Sequence, residues 1–311
     1  MLKDYLTAEQ SGEEVSSVVN AVRGGIPSAV FGVSFAEKCH ISSAFDLPLL
    51  YIAKDSLYAA KVVEELKGLT GEDVVFLPAK DDVLLYKTAF DKSRFYERLS
   101  AVYKIQHGAK YVVATFESLL QLFPKNLPSV EIKRGQTLDP YELASTLTKF
   151  GYKREEFAEE RASFALRGDI FEIYPVNGND IYRVDFFGDE IETITRYDGG
   201  NKEEKTIISG FTTIAATDAI IEEKDKAEIK ERLRASVLKF KTLVVKDDAR
   251  RIAAEISEKL DDGGTSDSFQ FILPILPSVT DDITSFMPKD TVIVYDECKM
   301  LSDSLSAIIK E

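Results

Sequence analysis

Short apolar runs alternate with amphipathic stretches through the first 130 residues of the chain. Residues 28–33, 47–53, 74–77 and 110–114 are apolar enough to read as buried strands. Between them residues 56–67 have helical spacing, with Leu57, Ala60, Val63 and Leu66 on one face and Ser56 placed to cap. Residues 93–105 repeat the pattern through Phe95, Leu99 and Val102. Strands that alternate with helices predict parallel pairing and an α/β layer architecture.

The pattern then changes. Asp139-Pro140 opens a short helix that runs to Phe150, and Gly151 stops it. Residues 163–167, 169–174, 181–187 and 190–195 read as strands, and the turns between them carry Gly168, Asn177-Gly178 and Gly188. This predicts an antiparallel meander within a small α+β domain. Beyond residue 215 the alternation returns, with a helix at 224–240, a strand at 243–245, a helix at 249–260, a polar linker at 261–268 and a strand at 291–295. The simplest arrangement is an α/β domain in two halves, residues 1–130 and 214–311, interrupted by an inserted α+β domain at residues 131–213.

Composition narrows the function. At 44% hydrophobic and 30% charged residues, the chain has the balance of a soluble globular protein. No apolar run approaches the roughly 20 residues needed to cross a bilayer, and the segment beginning Met1-Leu2-Lys3 lacks a secretory pattern. Two cysteines and two histidines supply neither a disulfide framework nor a zinc site, so no metal or cofactor is expected and a reducing cytoplasm fits. The net charge of −14 argues against nucleic acid as the main partner, since phosphate binding draws on a basic face. A basic protein surface is the easier partner.

One segment invites a nucleotide. After residues 28–33, Ser34-Phe35-Ala36-Glu37-Lys38-Cys39 stands where a phosphate-binding loop would sit, with Gly32 and Lys38 correctly separated. Phe35 and Glu37 occupy positions that want glycine-like freedom. Cys39 replaces the hydroxyl that would hold magnesium, and a thiol is a poor ligand for that hard cation. Gly32, Phe35, Glu37, Lys38 and Cys39 therefore read as a degenerate nucleotide site. The strand ending in Asp296-Glu297 mimics magnesium-handling acids, but its blander reading is a polar strand end meeting solvent.

Gly151-Tyr152, then Phe164-Ala165-Leu166-Arg167-Gly168-Asp169, then Arg183-Val184-Asp185-Phe186-Phe187-Gly188-Asp189-Glu190-Ile191-Glu192 form two linked blocks. Together they resemble the signature of UvrB and of the UvrB-homology module at the N-terminus of bacterial transcription-repair coupling factors. A weaker likeness covers most of the chain, including residues 94–99 with their Arg98-Leu99 pair. The broken loop and a single tyrosine, Tyr86, where UvrB begins its DNA-gripping hairpin favour the coupling factors.

The resemblance implies a non-catalytic adaptor that recruits UvrA, the damage-recognition ATPase, to stalled RNA polymerase. The polymerase and duplex DNA would be met by domains outside this chain, as would ATP-driven translocation. Carried across, the UvrA contact falls on Arg167, Ile173, Lys153, Arg183 and Phe171, with no catalytic residue. An internal pair of Arg167 with Glu172 or Asp185 competes with that role. Phe186-Phe187 reads as core, and Gly168 and Gly188 as turn residues. A UvrB-type ATPase or helicase and a direct DNA-binding module are the alternatives.

Overall fold

The structure is a computed structural model that describes residues 12–80, 92–200, 204–219, 221–239, 243–262 and 267–310. Tyr86, and with it the expected departure from the UvrB hairpin, lies outside the described residues. Helices α1 (Glu13–Arg23) and α2 (Phe35–Ala44) precede strand β1 (Leu49–Ala53). Helix α3 (Ser56–Thr70), β2 (Val74–Leu77), α4 (Lys92–Gln106), β3 (Tyr111–Thr115) and the one-turn α5 (Phe116–Leu119) follow. Next come β4 (Phe123–Pro124), β5 (Ser129–Lys133), helix α6 (Pro140–Lys149), β6 (Lys153–Arg154), β7 (Ser163–Arg167) and β8 (Ile170–Tyr174). Strands β9 (Ile181–Phe187), β10 (Glu190–Tyr197), β11 (Lys205–Ile207) and β12 (Gly210–Ile214) complete the β-rich stretch. Helices α7 (Lys226–Leu238) and α8 (Leu243–Asp261), strands β13 (Val279–Thr280) and β14 (Val292–Tyr295), and helix α9 (Cys298–Lys310) close the order.

Two compact units emerge, one of residues 1–94, 104–121 and 281–311, the other of residues 95–103 and 122–280. The first is built on a parallel sheet in the order β14-β1-β3-β2. Each residue of β1 and β3 is buried, as strands covered on both faces must be. Leu49 and Tyr51 of β1 join Val62 and Leu66 of α3 and Cys39 of α2 in one core. The second unit holds a sheet in the order β11-β10-β9-β8-β7-β6, antiparallel except where β6 runs parallel to β7. It also holds α7 and α8, whose Ile229, Leu233, Ile256 and Leu260 share a core with Ile272.

The α/β character, with parallel and antiparallel sheets, is as the periodicity predicts. Four local expectations are corrected. Residues 28–33 form no strand: Val30 and Phe31 are exposed, and Gly32 at φ +76° breaks the β geometry. In α3 the buried positions are Ala59, Val62, Val63 and Leu66, while Leu57 is exposed. The two stripes overlap at Val63 and Leu66, so spacing alone could not choose between them. Asp55 rather than Ser56 caps that helix, accepting from the Tyr58 N–H. Residues 243–245 begin α8 instead of a strand, because the helical spacing of Ile252, Ile256 and Leu260 extends back through them.

No helix among the described residues is long and apolar enough to cross a membrane.

Candidate functional site

The blocks that carry the family signature build the antiparallel sheet of the second unit. Period-two alternation and the strand register sort its side chains onto two faces. Phe164 lies opposite Ile173, and Leu166 opposite Phe171, which in turn faces Val184. This is the buried face: Phe164, Phe171, Ile173 and Val184 have no exposed surface, and α6 covers β6 and β7. The rings of Phe164 and Phe171 stack with centroids 5.4 Å apart. Gly168 at φ +60° and Gly188 at φ +61° make the tight turns that return the chain, as expected of turn residues.

The opposite face is mixed and only partly open: Ser163, Ala165 and Glu172 are buried, whereas Arg167, Arg183 and Asp185 are half-buried. Register places Lys153 beside Ser163, Arg167 beside Ile170, Ile170 beside Asp185, and Glu172 beside Arg183. The Arg167 Nη2 lies 2.8 Å from a Glu172 carboxylate oxygen. Its Nη1 donates to the Glu156 carbonyl, and its guanidinium sits 4.3 Å over the Phe157 ring. Arg183 donates through Nε and Nη2 to one oxygen of Asp185, at 2.9 and 2.8 Å. That bond with Asp185 holds the Arg183 pKa above its ordinary value. Phe187 continues the same face two residues beyond Asp185, and its side chain is 81% exposed.

The sequence-predicted contacts therefore divide. Arg167, Arg183 and Lys153 share the partly open face, whereas Phe171 and Ile173 lie in the core with no exposed surface. The competing internal pair of Arg167 is present and involves Glu172 rather than Asp185. It leaves the arginine about one-third exposed, so pairing and presentation coexist. Only half of the Phe186-Phe187 pair is core: Phe186 is buried and Phe187 is not. Phe187 and Phe157 are surface candidates that sequence reasoning missed. For Phe187 the signal was its strand parity with Arg183, which the alternation along the strand discloses by itself.

The predicted nucleotide segment lies in the first unit. Glu37 and Ser34 form a capping box at the start of α2: the Ser34 N–H donates to Glu37 Oε2 at 2.6 Å, and the Glu37 N–H donates to Ser34 Oγ at 3.4 Å. Those bonds hold the Glu37 carboxyl below its ordinary pKa, the backbone bond contributing most. The S-x-x-E spacing was a legible capping signal. Phe35 packs edge-on against Tyr58 at 5.4 Å, and Gly32 is exposed. Cys39 is fully buried, and burial pushes its thiol pKa up to about 12.

Lys38 Nζ lies 2.8 Å from Asp296 Oδ1 and 2.5 Å from Glu297 Oε1. The Tyr51 hydroxyl donates to the other Asp296 oxygen at 2.7 Å. Asp296 is only 4% exposed, so the reading of a strand end meeting solvent is corrected. Alkylation of the folded protein at pH 8 should therefore label the exposed Cys298 and spare Cys39, with both labelled on unfolding. Mass spectrometry checks this, and a folded-state adduct on Cys39 would contradict the closed core.

A sheet with one apolar, largely buried face and one partly open face of arginines, carboxylates and an exposed aromatic has the build of a protein-docking domain. Comparison with known proteins agrees: residues 130–218 match the family model described as the UvrB interaction domain. The chain is also similar to the transcription-repair-coupling factor of Bacillus subtilis, 22% identical over 317 residues, covering 97% of this chain and 27% of that protein. The coupling factor of Myxococcus xanthus is 24% identical over 313 residues, with 93% and 25% covered. The UvrABC system protein B of Thermotoga neapolitana is 26% identical over 267 residues, with 75% and 40% covered. Residues 130–218 thus match a UvrB interaction domain, and the chain resembles transcription-repair-coupling factors over most of its length, while spanning about a quarter of theirs.

Proposed function

We propose that this chain is a non-catalytic adaptor module of transcription-repair coupling, which recruits UvrA through the open face of its antiparallel sheet. The observation that carries the reading is the alignment of Arg167, Arg183 and Phe187 on that face, within the matched interaction domain. Arginine and aromatic side chains are the usual anchors of protein interfaces, because each gives a large contact area or a bidentate fork. Phe187 is an apolar anchor that no neighbour covers by more than a fifth. RNA polymerase and duplex DNA would be engaged by segments outside this chain.

The absence of catalysis in this chain is part of the proposal. The side chains that a nucleotide loop would turn toward phosphate are otherwise engaged: Glu37 as a cap, Cys39 in the core, Lys38 on two carboxylates. This disfavours a UvrB-type ATPase. The excess of 53 acidic over 39 basic residues disfavours a DNA-binding module.

Calorimetric titration with purified UvrA tests the reading. The parent chain is expected to bind, and Phe187→Ala to weaken binding about tenfold with an unchanged melting temperature, since the ring is solvent-exposed. A folded parent that does not bind UvrA, or that binds duplex DNA with a steep salt dependence, would remove the proposal.

A further inference from the structure

We propose that Lys38, Tyr51, Asp296 and Glu297 form an internal latch that takes the place of a magnesium–nucleotide and holds β14 and α9 on the parallel sheet. The inference is independent of the UvrA reading. Lys38 and Asp296 are 258 positions apart, yet their charged atoms meet at 2.8 Å. The lysine side chain is 19% exposed and the aspartate side chain 3%, so the pair is largely withdrawn from solvent. Tyr51, fully buried on β1, satisfies the second Asp296 oxygen, and the Asp296 N–H donates to the Ile52 carbonyl at 3.1 Å.

The strand of the tied segment needs the tie. Strand β14 is at the edge of its sheet and pairs only with β1 among the described residues. Its side chains alternate between half-buried and exposed, with Ile293 and Tyr295 on the open side. Packing therefore secures it less than it secures β1 or β3, in which each residue is buried.

Glu297 adopts φ +55°, a left-handed conformation that costs free energy in a residue with a side chain, and its carboxylate reaches Lys38. A strained backbone that delivers a second carboxylate to the same ammonium marks a cluster selected for its contacts. In a working nucleotide site the lysine would face phosphate and the acids a metal. Here they satisfy one another, so the closed arrangement is permanent and needs no ligand. Tyr58 faces the same group: its pKa is raised to about 12, chiefly by burial and then by the nearby Asp296 carboxylate. Cys39 and, beyond it, Glu65 complete the titratable surroundings.

Hydrogen exchange read by mass spectrometry tests the latch. In Lys38→Met, exchange across residues 292–301 is expected to rise about tenfold or more, because loss of one member leaves a buried carboxylate uncompensated. Residues 163–197 of the other unit serve as the internal reference and should not change. Lys38→Arg should fall between Lys38→Met and the parent. Magnesium–ATP at millimolar concentration should leave the parent pattern unaltered. Glu297→Gln, altered only at a half-exposed carboxylate, gives a variant that keeps its fold and should show a smaller rise in the same residues. Unchanged exchange at 292–301 in Lys38→Met or in Glu297→Gln, or protection of the parent by magnesium–ATP, overturns the proposal.

Discussion

Replacing Phe171 by alanine is expected to lower the unfolding free energy by about 3–5 kcal/mol, the cost typical of removing a buried aromatic. The ring has no exposed surface, stacks on Phe164 and lies between Leu166 and Val184 in the register. Truncation forfeits its apolar burial and leaves a cavity that strands on both sides are too tightly paired to close. Urea unfolding followed by circular dichroism measures the loss. Binding to UvrA should weaken only as far as the folded population shrinks. If the variant instead keeps its stability and loses binding, Phe171 is a contact after all and the face assignment is wrong.

Arg167→Ala should act in the opposite sense, leaving the chain folded and weakening UvrA binding by about 1–3 kcal/mol, roughly 5- to 150-fold. Its guanidinium is partly exposed, which screens the pair, but the Glu172 side chain is only 10% exposed, so a modest loss of stability is expected beside the loss of binding. What the variant lacks is a planar donor already fixed by Glu172, the Glu156 carbonyl and the Phe157 ring, so little side-chain entropy is left to lose on docking. Arg167→Lys should fall between, since it keeps the charge but not the fork. Calorimetry with folded variants decides it, and an unchanged affinity for Arg167→Ala would exclude this side chain as an anchor.

Local rules made much of the architecture legible. Asp139-Pro140 and Gly151 bracket α6 as their capping chemistry requires, with Gly151 at φ +89°. The glycine turns and alternating strands of residues 163–195 form the antiparallel order that their spacing predicts. Phe95, Leu99 and Val102 are buried in α4 as the helical period requires. The family signature, too, could be read directly, and with it the expectation that Arg167, Arg183 and Lys153 belong together. In each case the determinant is a dihedral preference or a repeat that a few neighbouring residues settle among themselves.

What the sequence could not settle depends on atoms distant along the chain. Period two pairs Phe171 with Ile173 but cannot say which side α6 will cover, and that choice turned two predicted contacts into core. Residues 28–33 have strand composition, but a strand needs a neighbour, and none of the described strands pairs with them. Lys38 carries the same charge whether it faces a phosphate or a carboxylate. Only the fold, by bringing Asp296 within 2.8 Å, decided that its partner is internal. Helix caps, turns and amphipathic periods are written in the chain because their free energy is local; burial and ion pairing are decided by tertiary structure because their free energy depends on what arrives from elsewhere.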